Sequence, residues 1–217
     1  MRRGAIFDMD GTLFDTEKLY RQAWLDVAEE FGQERNDDFP TAISGTNMGE
    51  ASLQVIRRFY PNIDAEAYLA RVLAEVNAAA ERNLELMAGV EEILNFFKAA
   101  GVVMAVASSA PVAVIERNLT KANLRGFFKI LVGGDMVKNG KPAPDIFLLA
   151  AERLNLAPSD CYIFEDSLNG IRAAAASGGA AIMIPDQVQP TDDIKRICAA
   201  VFNDLNEARR AIEEKRL

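Results

Sequence analysis

The chain has 217 residues, half of them hydrophobic, and a net charge of −8. That is enough apolar material for one large or two modest domains, and it lacks the clustered basic footprint of a nucleic-acid-binding surface. Histidine is absent altogether, which removes Ser-His-Asp and Cys-His nucleophilic sites and histidine-ligated zinc, and leaves acid–base work to carboxylates, lysine and tyrosine.

The basic start Met1-Arg2-Arg3 leads into the apolar run Ala5-Ile6-Phe7, and Asp8 interrupts that run too early for a signal-peptide core. The run predicts a short strand buried on both faces. Beyond it stands Asp8-Met9-Asp10-Gly11-Thr12, two carboxylates one residue apart at a strand's carboxyl end. Like charges that close raise one pKa sharply, and a hard, oxygen-seeking dication such as Mg²⁺ removes the repulsion. The alternative for this segment taken alone is an acidic turn, since Asp-Gly is ordinary turn chemistry.

Residues 15–86 read as helix after helix. Tyr20, Trp24, Val27 and Phe31 form one apolar stripe, Leu53, Ile56 and Tyr60 a second, and Leu69, Val72, Val76 and Ala80 a third. From residue 87 strands alternate with helices. Apolar runs at Val102–Ala107, Ile130–Val132, Tyr162–Phe164, Ala181–Ile184 and, weakly, Ala200–Phe202 predict strands. Val90, Ile93, Leu94 and Phe97, and then Val112, Ile115, Leu119 and Ala122, recur at helical spacing. The alternation predicts an α/β fold with a doubly wound parallel sheet, built from residues 1–14 and 87–217 and interrupted by an inserted helical domain over 15–86. Ligands of such a sheet bind beyond the carboxyl ends of its strands. The longest apolar stretch, Gly101–Ile115, is broken by serines and falls short of the ~20 residues of a membrane span. Cys161 and Cys198 lie in apolar surroundings and are expected to be buried free thiols of a cytoplasmic protein.

Two further segments point to phosphate. Ser108 and Ser109 stand where the second strand meets a helix whose start is marked by Pro111, so the Ser108 hydroxyl and nearby backbone N–H groups can hold an anion. Ser109 serves equally well as an N-cap. Lys141-Pro142-Ala143-Pro144-Asp145 places a cation beside another Pro-marked helix start, and Glu165-Asp166 ends the strand Tyr162-Ile163-Phe164.

Taken in order, Asp8-x-Asp10-Gly11-Thr12, Ser108-Ser109, Lys141-Pro142 and Glu165-Asp166 resemble the four motifs of the haloacid dehalogenase superfamily of phosphohydrolases. The likeness is closest to the branch with a helical cap inserted after the first motif, which includes β-phosphoglucomutase and many sugar-phosphate phosphatases. It implies a Rossmann-like core with a helical cap, and a Mg²⁺-dependent enzyme that acts on a small phosphorylated metabolite. By the same resemblance Asp8 is the nucleophile that becomes an aspartyl phosphate, and Asp10 is the acid–base residue. Thr12, Ser108, Ser109 and Lys141 hold the phosphate. Asp8, the Asp10 carbonyl and Asp166 bind the metal, with Glu165 ligating it directly or orienting a metal-bound water. Tyr20, Asn47, Met48 and Asn77 of the cap are expected to face the leaving group. A monomer is expected, with neither nucleic acid nor membrane as a partner.

The chain departs from the mutase pattern in two places. Tyr20 stands near the position of the mutase cap histidine, and Ser44-Gly45-Thr46-Asn47-Met48-Gly49 replaces the cap loop that carries an arginine. A sugar bisphosphate intermediate needs a second charged phosphate site, so hydrolysis is expected rather than mutase turnover. A phosphometabolite-binding protein without turnover is the non-enzymatic alternative, disfavoured because every matched catalytic residue is present.

Overall fold

The computed structural model describes residues 1–43, 49–186 and 188–217. The chain forms two compact units, Asp15–Glu85 and the pair of segments Met1–Phe14 and Leu86–Leu217. Leu86, one residue before the expected boundary, goes with the larger unit because it bridges to Phe14.

The smaller unit is helical: α1 (Glu17–Glu30), α2 (Asp38–Ile43), α3 (Glu50–Phe59) and α4 (Ala65–Arg82). The predicted stripes turn inward. Trp24, Val27, Ile56, Tyr60, Leu69, Val72 and Val76 are buried together with Phe39 of α2. Trp24 and Tyr68 stack with centroids 5.9 Å apart, and the Tyr68 hydroxyl donates to the Trp24 carbonyl at 2.5 Å, so this buried phenol keeps its polar end satisfied. Asp64 caps α4 by accepting from the Ala67 N–H at 3.0 Å. Helix α2 was not legible as a stripe because it is six residues long and carries Pro40 in its first turn, where a missing N–H costs nothing.

The larger unit is a six-stranded parallel sheet of β1 (Gly4–Phe7), β2 (Val103–Ser108), β3 (Ile130–Gly133), β4 (Cys161–Glu165), β5 (Ala180–Met183) and β6 (Ala200–Val201), in the order β3-β2-β1-β4-β5-β6. The helices are α5 (Val90–Ala99), α6 (Val112–Lys121), α7 (Asp145–Leu154), α8 (Leu168–Ser177), α9 (Asp192–Ile197) and α10 (Leu205–Glu213). Strand side chains alternate between faces, and both faces are covered. Ile6, Ala105, Ile163 and Ala181 bury against Phe147 and Ile171 of α7 and α8. On the opposite face Phe7 stacks on Phe164 at 4.6 Å and meets Phe97 of α5 edge-on at 6.2 Å. Strand order reverses at β1, which lies between β2 and β4. The carboxyl ends of these three strands therefore border the crevice in which a doubly wound sheet holds its ligands.

Cys161 and Cys198 are free thiols, with Cys161 buried and Cys198 only partly so. Among the described residues no helix is long and apolar enough to cross a membrane.

Candidate active site

Four sequence-predicted residues meet at that crevice. Strand β1 ends at Phe7, one residue before Asp8, and the Asp8 N–H still donates to the Phe164 carbonyl at 2.9 Å. That bond extends the ladder one step beyond the strand and seats Asp8 beside the end of β4. The chain then turns back at once: the Leu13 and Phe14 N–H groups donate to the Met9 carbonyl at 2.9 and 3.0 Å. Asp10 lies half-buried in this turn rather than on the strand face. Gly11 makes the turn possible, since its φ is +75° and a Cβ there would collide with the Asp166 carboxylate.

Lys141 enters from the loop before α7. Its ammonium is 2.5 Å from Asp8 Oδ1 and 2.5 Å from Glu165 Oε1, and it donates to the Ala107 carbonyl at 3.3 Å. The three side chains are 7%, 9% and 1% exposed. A charge buried that deeply persists only when paired and hydrogen-bonded, and Lys141 is the shared partner of the two acids. The second oxygen of Glu165 accepts from both the N–H and the hydroxyl of Ser167 at 2.9 Å, while Ser167 caps α8 by accepting from the Gly170 N–H at 3.0 Å. Both Glu165 oxygens therefore have protein partners, and this residue holds Lys141 in place.

The electrostatics follow from burial. Desolvation pushes the Asp8 carboxyl up to about 7, with Glu165 and Asp10 adding to the rise and Lys141 opposing it. Asp166 is raised well above the usual carboxylate range by burial first, then by Glu165 and Asp8. Burial would lower Lys141, but the Asp8 and Glu165 carboxylates outweigh it and hold the ammonium above its ordinary value. Asp8, Glu165 and Asp166 each offer an oxygen, and these oxygens lie within 4.8 Å of one another. An all-oxygen set whose acids resist ionising together is the donor chemistry of a hard dication, so Mg²⁺ fits. The Asp10 side chain stands outside this carboxylate cluster.

Ser108, buried at the end of β2, accepts the Ala110 N–H at 3.1 Å; that leaves the hydroxyl proton available for an anion. Ser109 is exposed. Thr12 is fully buried, and its hydroxyl has no hydrogen-bond partner among the described residues. Of the residues expected to read the leaving group, Tyr20 is half-buried against the aromatic core of the helical unit. Asn77 donates its amide to the Leu73 carbonyl of its own helix at 2.9 Å. Asn47 and Met48 lie outside the described residues. Sequence reasoning missed Ser167 as the anchor of Glu165, and it missed the segment Gly133-Gly134-Asp135. Two glycines and an acid directly after the apolar run Ile130–Val132 are the signal that such a turn leaves.

The haloacid dehalogenase-like hydrolase family matches residues 3–178. A phosphorylated carbohydrates phosphatase of Thermotoga maritima is 38% identical over 173 residues, covering 80% of each chain. The fructose-1-phosphate phosphatase YqaB of Escherichia coli is 33% identical over 179 residues, covering 82% of this chain and 94% of its own. The crystal structure of a candidate β-phosphoglucomutase from Thermotoga maritima superimposes with a TM-score of 0.82 at 32% identity, over 98% of this chain and 99% of its own. In sequence span and in fold alike, the chain belongs to the haloacid dehalogenase-like hydrolase family.

Proposed function

We propose that this chain is a Mg²⁺-dependent phosphatase of small phosphorylated carbohydrates that works through an aspartyl phosphate on Asp8. The observation that carries the reading is the double contact of Lys141, 2.5 Å from both Asp8 and Glu165 at the ends of β1 and β4. A carboxylate is a poor nucleophile toward an anionic ester unless fixed positive charge neutralises the phosphoryl oxygens. Lys141 supplies such a charge within reach of the attacking atom.

Asp8 attacks phosphorus, and the bond from phosphorus to the substrate alcohol breaks as Asp10 gives that alcohol a proton. Asp10, now ionised, takes a proton from the water that attacks the aspartyl phosphate, so phosphate leaves and Asp8 is regenerated. Ser108 and Lys141 hold the phosphoryl group throughout. Asp8 and Asp166, with the Asp10 carbonyl and Glu165 nearby, would hold the magnesium, whose charge would keep Asp8 ionised and, by neutralising the phosphoryl oxygens, leave the phosphorus open to attack. The helical unit Asp15–Glu85 acts as a cap that selects the leaving group. The free thiols fit a reducing, cytoplasmic setting.

Similarity to the candidate β-phosphoglucomutase favours a second reading, transfer of phosphate within a sugar phosphate. The absence of histidine from the chain counts against it. Phosphate release measured across a panel of sugar and polyol phosphates in Mg²⁺ decides: free phosphate from several members supports hydrolysis, and isomerised sugar phosphate without release supports the mutase.

A further inference from the structure

The turn that leaves β2 is gripped from the neighbouring strand. Ser108 pairs with Gly133 in the β2–β3 register, so the two strands end side by side. Beyond that point the Gly134 N–H donates to the Ala110 carbonyl at 3.0 Å, and the Asp135 carboxylate accepts the Val112 N–H at 3.0 Å. Val112 opens α6, and Pro111 before it offers no side-chain cap. Asp135 therefore caps this helix from 23 residues away. Gly134 packs backbone to backbone: a Cβ there would run into the main chain of Ser109, which cannot give way as a flexible side chain would.

An acid at this place works against simple anion attraction. A helix N-terminus that binds phosphate does so with free N–H groups and a positive dipole end, and the Asp135 carboxylate occupies one N–H and adds negative charge. Its contribution is to fix the path of the turn. With Val112 and Ala110 tied to the end of β3, the Ala110 N–H stays on Ser108 Oγ, and the hydroxyl keeps its proton to donate to an anion.

We propose that Asp135 is a positioning residue for phosphate, holding the Ser108–Val112 turn through the Val112 N–H so that the Ser108 hydroxyl is preset for the phosphoryl group. This rests on the reading of Ser108 as a phosphate ligand. The role needs an acceptor oxygen at residue 135 and does not need a charge.

The test is binding of inorganic phosphate to the Mg²⁺-loaded full chain by titration calorimetry, with urea unfolding run alongside. Asp135 is exposed, so its variants should fold. Asp135→Ala should weaken phosphate binding about 3- to 10-fold, the scale of one solvent-accessible hydrogen bond. Asp135→Asn should bind within about twofold of the native chain, because its amide oxygen accepts the same N–H. Ser108→Ala combined with Asp135→Ala should bind no more weakly than Ser108→Ala alone, as expected for residues acting through one contact. Native phosphate affinity in Asp135→Ala, equal weakening in the Ala and Asn variants, or additive losses in the double variant would each overturn the inference while leaving the phosphatase reading intact. Unchanged phosphate affinity in Ser108→Ala would overturn the inference together with the assignment of Ser108.

Discussion

Lys141 Nζ stands at the same distance, 2.5 Å, from Asp8 Oδ1 and Glu165 Oε1, so one buried ammonium is the counter-ion of the carboxylates that end two adjacent strands. One oxygen of each acid depends on it. Removing the cation leaves two carboxylates facing each other in a water-poor crevice, where an uncompensated buried charge costs several kcal/mol or is relieved by protonation.

Lys141→Ala should therefore depress turnover on every substrate by roughly 10²- to 10³-fold, the loss seen when one preorganised donor to a developing oxyanion is removed. Its stability deficit against the native chain should be larger at pH 8 than at pH 5.5, because one of the two stranded acids takes up a proton at the lower pH. Urea denaturation at the two pH values checks this. A deficit independent of pH would count against the triad as drawn.

The stability of the metal-free protein should fall as pH rises from about 5 to 8. Asp8 ionises from an ordinary value of 3.8 when unfolded and from about 7 when folded. A raised folded pKa gives stability that is complete below the unfolded value and lost as pH climbs through the folded one. Asp166 acts in the same direction. Mg²⁺ binds the ionised carboxylates, so its stabilising effect should grow over the same pH range and protons should be released on binding. Thermal unfolding in chelator and in Mg²⁺, each at pH 5.5 and 8, measures both. A metal-free protein that gains stability toward pH 8 would contradict the buried acid cluster.

Gly11→Ala should destabilise the fold by about 1–3 kcal/mol, the usual cost of forcing a side-chain-bearing residue into left-handed backbone. It should also displace Asp166, whose carboxylate a Cβ at residue 11 would strike. Mg²⁺ affinity, read by the metal dependence of turnover, should fall with it. Native metal affinity in a destabilised Gly11→Ala protein would mean that Asp166 is not a ligand.

Tyr20→Ala should reorder substrate preference, in contrast to Lys141→Ala, which should lower all substrates alike. Comparing kcat/KM across the phosphate panel separates the two. Equal, substrate-independent losses would refute a cap that selects the leaving group.

The sheet was legible because its strands are short continuous apolar runs, a pattern that only burial on both faces explains. The order of acids, serine and lysine along the chain pointed to a single crevice because strand ends carry the acids and the serine, and the lysine lies in a loop that reaches them. What the sequence could not display is contact between loops. The Glu165 partnership with Lys141 joins residues 24 apart through a loop with no period. The capping of Val112 by Asp135 joins two strand ends whose adjacency exists only once β2 and β3 pair. At Asn77 the structure adds a contact that the helical stripe does not display: its amide donates to the Leu73 carbonyl one turn back.

The central claim, that Asp8 carries the phosphoryl group, is tested most directly by quenching the enzyme during turnover of a phosphate monoester, reducing with borohydride and sequencing the peptides by mass spectrometry. An acyl phosphate is reduced to an alcohol, so the account predicts homoserine at position 8, dependent on substrate and absent from Asp8→Asn. Reduction at Asp10, or a phosphoryl group recovered on a serine, would contradict it.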